Sequence, residues 1–476
     1  MNIEEDSHLP PIDIPARILK KHHFWYYLAG ALIILGVLTR QPLLGLAATF
    51  TFLMGGVPEI WYRYALRHLL VRQTVDRPHL FFGEQVTLSV TIENRKFLPL
   101  PWLRLENSIV PPLTLTVKGD HGSRLQTIKR DTLISTWLLW SYQRVTRRYR
   151  MRCQTRGFHL MGPVQLQCSD PFGWLERDML LPANETLLVY PLIIPIEELG
   201  LPAVFPMGEQ VGNRQLLEDP LWFAGNREYQ PGDDPRRIDW KATARVGALR
   251  SKLYESTTER RLLILLDTWT YSNEHKGKDL ELQEYCISAA ASLAIWGLDE
   301  GYMVGVLTNS AMVTATHAFS SEVDTEQTQD EQAARKSNAT TISPPGISIP
   351  FASDHTQYQQ ILTTMARLVP AYNIPIERMI ELEDAVFQQG TTILLVSPLN
   401  TLSENTIMYL QERRSDGVAV NIILAGELEE GKELPDTENL STYHIGGKEQ
   451  WREHIQAVGD GQNGISGTST HSLQLD

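Results

Sequence analysis

The chain has 476 residues, a formal net charge of −13 at pH 7 and three cysteines, Cys153, Cys168 and Cys286. That length predicts two or three domains, each with its own core, and the acidic balance speaks against a general nucleic-acid binder, which needs a basic surface to neutralise phosphates. The cysteines are too few and too far apart for a disulfide framework or a zinc ribbon, which fits a reducing compartment.

A polar lead, residues 1–21, precedes two uncharged apolar runs, Phe24 to Thr39 and Pro42 to Pro58, separated by Arg40 and Gln41. With its neighbours each run reaches about 18 residues, roughly 27 Å of helix, enough for a bilayer core of about 30 Å when anchored at the ends. The expectation is two transmembrane helices over residues 22–62. Trp25, Tyr26, Tyr27, Trp61 and Tyr62 stand at interfacial positions, and the run glycines, among them Gly36 and Gly55, suit close helix contact. A helical hairpin buried in a soluble core is the alternative, against which stands the absence of a polar stripe.

Arg17, Lys20 and Lys21 precede the first run and Arg63, Arg67, Arg72 and Arg77 follow the second, while the connection carries only Arg40. The positive-inside rule then puts both flanks, and the bulk of the chain, in the cytoplasm, as in a multi-pass protein of the cell (inner) membrane.

Over residues 72–200 the apolar period becomes two. "EQVTLSVTIEN" sets Val86, Leu88, Val90 and Ile92 on one face, "RRYRMRCQ" turns Tyr149, Met151 and Cys153 inward with Arg148, Arg150 and Arg152 outward, and "VQLQC" alternates Val164, Leu166 and Cys168 with glutamines. Short strands broken by Pro and Gly predict an antiparallel β-sandwich.

Residues 201–260 hold a linker and the run "REYQPGDDPRRIDWKATAR", Arg227 to Arg245. Pro231 fixes φ, Gly232 is free to take positive φ, and Asp233 or Asp234 is placed to cap a helix beginning at Pro235 and ending at Gly247. Arg227, Arg236, Arg237, Lys241 and Arg245 nearly cancel Glu228, Asp233, Asp234 and Asp239, which predicts mutual pairing. Tyr229, Trp240 and the arginines then serve either to lock the helix to the sandwich, the reading these charges favour, or as an interface anchor.

From 261 to 457 strand and helix patterns alternate: "RLLILLDT", "KDLELQEYCISAAASLAIWGLDEG", "YMVGVLTN", "DHTQYQQILTTMARLV", "GTTILLVSP", "SENTIMYLQERRS", "GVAVNIILAG", "KEQWREHIQAV". This predicts a doubly wound α/β domain of four strands. Residues 320–346 and 458–476 are polar and apolar-poor and read as a disordered insertion and tail.

Ligands of such sheets sit beyond the carboxyl ends of the strands, which singles out Asp267. A haloacid dehalogenase-type phosphatase needs a second carboxylate two residues on, where this chain has Trp269. A metal-dependent adhesion site needs Asp-x-Ser-x-Ser; in "DTWTY" only Thr268 and Thr270 offer hydroxyls beside Asp267, so the site is at best vestigial and a structural aspartate is favoured. No phosphate loop, HExxH, GxSxG or dinucleotide turn occurs, and no cofactor is expected.

The run from Arg227, with "GALRSKLYE" and "LLILLD" after it and "RGFHLMGPVQLQCSDPFGW" and "VYP" before it, resembles the signature of the family called domain of unknown function 58. The resemblance extends over nearly the whole chain beyond about residue 20. It implies a multi-domain α/β protein of bacterial origin: a transmembrane helical hairpin, a β-sandwich and a von Willebrand factor type A-like domain. It also implies a partner, a MoxR-type AAA+ ATPase, in complex assembly or cell-envelope work. "DTWTY" and the acidic insertion depart from the family pattern. The expectation is a membrane-anchored, non-enzymatic adaptor or scaffold; a metal-dependent hydrolase or phosphatase using Asp267 is the alternative, and a receptor exposed outside the cell a third.

Overall fold

The computed structural model describes residues 12–13, 24–110, 118–119, 127–129, 132–170, 176–181, 185–202, 218–230, 233–256, 260–270, 279–317, 339–383, 386–387, 390–415, 417–428 and 440–459. Two helices come first, α1 (Phe24–Thr39) and α2 (Pro42–Tyr64). Pro42 opens α2, where its missing N–H costs nothing. The helices lie antiparallel, and small residues permit it: a Cβ on Gly36 would stand 3.2 Å from Leu44 and one on Gly55 3.0 Å from Trp25. Leu38, Leu43, Leu46, Phe50 and Phe52 are exposed around them. Among the described residues α2 alone is long and apolar enough to cross a membrane; α1, with 16 residues, falls short of that length.

Two antiparallel sheets follow. Leu69–Val75, Gln85–Asn94 and Arg144–Arg152 form the body of one, and Glu176–Leu181, Gly157–Ser169, Leu100–Val110 and Thr132–Leu139 the body of the other. Ile12 and Asp13 pair with Leu180 and Met179 at the second sheet's edge, so part of the lead returns to the sandwich. The predicted alternation is realised: Val86, Leu88, Val90, Ile92, Tyr149, Met151, Cys153, Val164, Leu166 and Cys168 are all buried in one core. Arg148 and Arg150 face outward as expected, but Arg152, expected outward too, is half-buried and donates to the Gly83 carbonyl at 3.0 Å, and Arg147 lies 4.2 Å from the Trp137 ring. Trp61, Ala65 and Leu66 belong to the same core, so the end of α2 is built into the sandwich and the boundary falls at Leu69 rather than 72.

The C-terminal sheet has six strands, not four. Its order is Ile347–Ala352, Met303–Thr308, Arg261–Leu266, Thr391–Pro398, Ala419–Ala425, Ser441–His444, every neighbour parallel except the first pair. The central strands are buried along nearly their whole length and mainly apolar because both faces are covered. On one side Leu262, Ile264, Val304 and Val396 meet α4 (Leu280–Asp299), α5 (His355–Arg367) and α8 (Lys448–Gly459). On the other Leu263, Leu265, Leu395 and Ile422 meet α6 (Ile376–Leu382) and α7 (Glu404–Ser415). Gly297 lets α4 lie directly on Leu262 and Val304. A small second sheet joins Ser310–His317 to Ala339–Ile342 and Leu368–Asn373. Residues 339–346 of the expected insertion are therefore ordered, and 320–338 lie outside the described residues, as does the tail from residue 460.

The sandwich and the α/β domain share an interface. Phe82 and the apolar residues of 192–201 belong to the same core as α4, and the Ile194 N–H donates to Ser292 Oγ at 2.8 Å. Arg152 donates to the Val458 carbonyl at 2.7 Å, and Gly83, at φ 85°, lies where any side chain would run into Val458. Arg156 bonds Glu284 and the carbonyls of Met365 and Leu368. Arg152, Arg156 and Phe82 thus join the sandwich to the α/β domain.

Candidate functional site

The signature residues stand on a β-hairpin. Glu218–Glu228 and Arg250–Ser256 pair antiparallel, with Arg227 opposite Ser251 and Glu228 opposite Arg250. Arg227 forms an ion pair with Asp233, whose other carboxylate oxygen accepts the Gln230 N–H at 3.1 Å, and the Tyr229 hydroxyl donates to the Asp233 carbonyl at 3.3 Å. The Gln230 N–H, and then Arg227, hold the Asp233 carboxyl below its ordinary range. Pro231 and Gly232 lie outside the described residues.

The single helix expected from Pro235 is broken in two. Asp234 accepts the Arg236 N–H at 3.0 Å and opens one 3-10 turn, Pro235–Arg237. Ile238 then turns extended and bridges to Ser251. Asp239 restarts the chain as N-cap of α3 (Trp240–Val246), one oxygen accepting the N–H groups of Lys241 and Ala242 at 3.0 Å each. The Ala242 N–H is the main cause holding the Asp239 carboxyl low. Gly247, at φ 76°, ends α3 by donating to the Thr243 carbonyl, as its position predicts.

The run is balanced in sequence but not at its surface. Asp233 and Asp239 are half-buried, Asp233 holding Arg227 and the Gln230 N–H and Asp239 the N–H groups of Lys241 and Ala242, so that the exposed bases Arg236, Arg237, Lys241 and Arg245 outnumber the exposed acids Glu228 and Asp234. Trp240 is 68% exposed, and no residue of the 3-10 turn or of α3 is buried. What the hairpin offers outward is an indole among cations, a surface suited to acidic and apolar groups.

The second constellation lies at the carboxyl ends of the central strands. Asp267, 1% exposed, accepts from the Trp269 N–H at 2.9 Å, Asn309 Nδ2 at 2.7 Å and Ser397 Oγ at 3.0 Å. Asn309 Oδ1 in turn accepts from the N–H and hydroxyl of Thr268 at 3.0 Å each, and Gln283 donates to the Thr268 carbonyl at 2.8 Å. The Thr270 hydroxyl accepts the Asp279 N–H at 3.2 Å, at the start of α4. Burial pushes the Asp267 carboxyl up to about 6 against the pull of its three donors.

The Asn309 amide links Asp267 to the Ile374 carbonyl, to which Nδ2 also donates at 2.8 Å. No group of three or more His, Cys, Asp and Glu among the described residues is arranged to hold a metal. Sequence reasoning found Asp267 but missed Asn309 and Ser397, whose signal is their place after or at the end of neighbouring parallel strands.

Residues 225–321 match the family described as "Protein of unknown function DUF58". That span begins inside the first hairpin strand and takes in Arg227 to Arg245, the strand Arg261–Leu266 with Asp267 after it, α4 and Asn309. The chain is 24% identical over 279 residues, 53% of its length, to the uncharacterized protein YeaD of Bacillus subtilis (strain 168). It spans 63% of that relative's length. Among solved structures, a non-cellulosomal cohesin from Archaeoglobus fulgidus overlaps 25% of this chain and 90% of its own at 12% identity and a TM-score of 0.19. The Bacillus subtilis sporulation control protein Spo0M overlaps 26% of this chain and 50% of its own at 16% identity and a TM-score of 0.16. Overlaps this slight bear on neither fold nor function.

Proposed function

We propose that this chain is a membrane-anchored, non-enzymatic adaptor whose signature hairpin recruits a cytoplasmic partner, a MoxR-type AAA+ ATPase, for complex assembly or cell-envelope work. The observation that carries the reading is the outward face of α3. Trp240, Lys241 and Arg245 are exposed on α3, and Arg236 and Arg237 on the 3-10 turn just before it, while Asp239 caps α3 and Asp233 bends back onto Arg227 and the Gln230 N–H. An indole 68% exposed costs solubility and has little of its surface packed against the fold, a pattern typical of binding hot spots.

Anchoring rests on α2, and the return of Ile12–Asp13 to the sandwich edge supports a hairpin in which α1 also crosses. An even number of crossings puts both flanks on one side, and the arginines after α2 make that side the cytoplasm. The six-stranded order with its antiparallel edge supports reading the C-terminal domain as von Willebrand factor type A-like.

The hydrolase or phosphatase reading of Asp267 is disfavoured by the three donors already on its oxygens. Affinity purification of the full chain in mild detergent, followed by identification of what is retained, tests the adaptor: recovery of the ATPase supports it, and its consistent absence sinks it.

A further inference from the structure

The end of the sandwich from which α2 emerges carries three large aromatic side chains in water. Phe97 is 79% exposed, Trp140 65% and Tyr142 70%. They stand on two loops, residues 95–99 and 140–143, that are tied to each other. Asn94 Nδ2 donates to the carbonyls of Leu98 and Trp140 at 2.9 Å each, and the Tyr142 N–H donates to the Lys96 carbonyl at 3.2 Å. Tyr142 holds φ at 54°, an unfavourable value for a bulky residue that its surroundings must maintain.

The same loops are fixed to the end of the helix. Trp61 Nε1 donates to the Pro99 carbonyl at 3.3 Å, and Lys96 Nζ donates to the Arg67 carbonyl at 3.0 Å. Arg177 clamps the carbonyls of Tyr62 and Arg63 at 3.1 Å each. The 23 residues of α2 make about 35 Å of helix, against a hydrocarbon core of about 30 Å, so the water boundary falls in its last turn. Phe97 is two residues from the atom that Trp61 bonds there. Arg63 and Arg67 are exposed at the same end, as is Arg95, which pairs with Glu93 at 2.9 Å.

We infer that Phe97, Trp140 and Tyr142 form a lipid-contacting rim that seats the sandwich on the membrane surface, with their rings among the headgroups and the neighbouring arginines on phosphates. Aromatic side chains favour that depth, where one end is apolar and the other wet. The opposite end of the sandwich, at Gly83, Arg152 and Arg156, bears the α/β domain. Gln85–Asn94 runs between the ends and spans about 34 Å at 3.4 Å per residue, so the rim sets the α/β domain at a defined height above the bilayer. The inference rests on α2 crossing the membrane, and the test separates the two.

All three native cysteines are buried, so a single introduced cysteine takes an environment-sensitive fluorophore selectively. Full-length Phe97→Cys, Trp140→Cys, Leu46→Cys in the middle of α2 and Met408→Cys on α7 are reconstituted separately. The vesicles are phosphatidylcholine and phosphatidylglycerol carrying a spin label on either the headgroup or the acyl chain. The expected result is strong quenching at 97 and 140 by the headgroup label, quenching at 46 by the acyl label, and little at 408 by either. Quenching at 46 with none at 97 and 140 overturns the rim and leaves the crossing intact. No quenching at 46 overturns the crossing and the rim together, and equal quenching at 97, 140 and 408 overturns the rim as non-specific contact.

Discussion

Arg156 of the sandwich grips Glu284 of α4 with two prongs, Nη2 to Oε1 at 2.6 Å and Nε to Oε2 at 2.7 Å. Its remaining nitrogen closes the end of α5, donating to the Met365 carbonyl at 2.7 Å. The Arg156 side chain is only 4% exposed while that of Glu284 is 32% exposed, so the pair is partly shielded and the loss of one partner strands a desolvated group.

Arg156→Met should therefore lower stability by about 3 kcal/mol, the lower end for breaking a buried pair because Glu284 still reaches water. Denaturant unfolding of the detergent-solubilised chain measures it. The double variant Arg156→Met, Glu284→Met should recover part of the loss. If Arg156→Met melts with the parent, the joint lies elsewhere.

Asp267 gives a pH dependence whose sign is set by its raised carboxyl. Burial pushes the folded carboxyl up to about 6 from its ordinary 3.8, so the folded state binds the proton more tightly between those values. This group's contribution to stability then falls as pH rises from about 4 to about 6 and stays low above. A shift of this size corresponds to about 3 kcal/mol. Asp267→Asn should fold, with Ser397 turning its hydroxyl to accept, and should lack this component of the profile between pH 4 and 7. A metal-binding or catalytic Asp267 would instead show a lost activity or a lost cation-dependent shift in melting temperature.

Asp239→Ala removes the cap of α3, a change of about 1 kcal/mol for a typical N-cap. With no residue of α3 buried, the effect should stay local. Amide exchange at Lys241, Ala242 and Thr243 should speed up while the strand Arg261–Leu266 keeps its protection. Global destabilisation would mean that α3 is packed against the body.

The periodicities of the sequence reported the fold where burial was one-sided or complete. Val86 to Ile92 alternated and Leu262 to Leu266 did not, and each became the strand its pattern implied. The edge strands Ile347–Ala352 and Ser441–His444 were not legible, because edges are short and half-buried and their pattern is weak. The helix predicted across Pro235 to Gly247 failed at Asp239, whose side chain offers the backbone a cap in place of another turn. The charges of the signature run were legible, but their direction was not: nothing in the spelling of the run tells that Asp233 and Asp239 bend back while Trp240 stays outside. Likewise Asn309 and Ser397 meet Asp267 only through the parallel register of three strands.

The central claim is that the outward face of α3 binds and does not hold the fold. Trp240→Ala in the full chain, melted in detergent and used as bait beside the parent protein, tests it most directly. The account predicts an unchanged melting temperature with loss of the co-purifying ATPase. A lowered melting temperature with the ATPase still retained would contradict it.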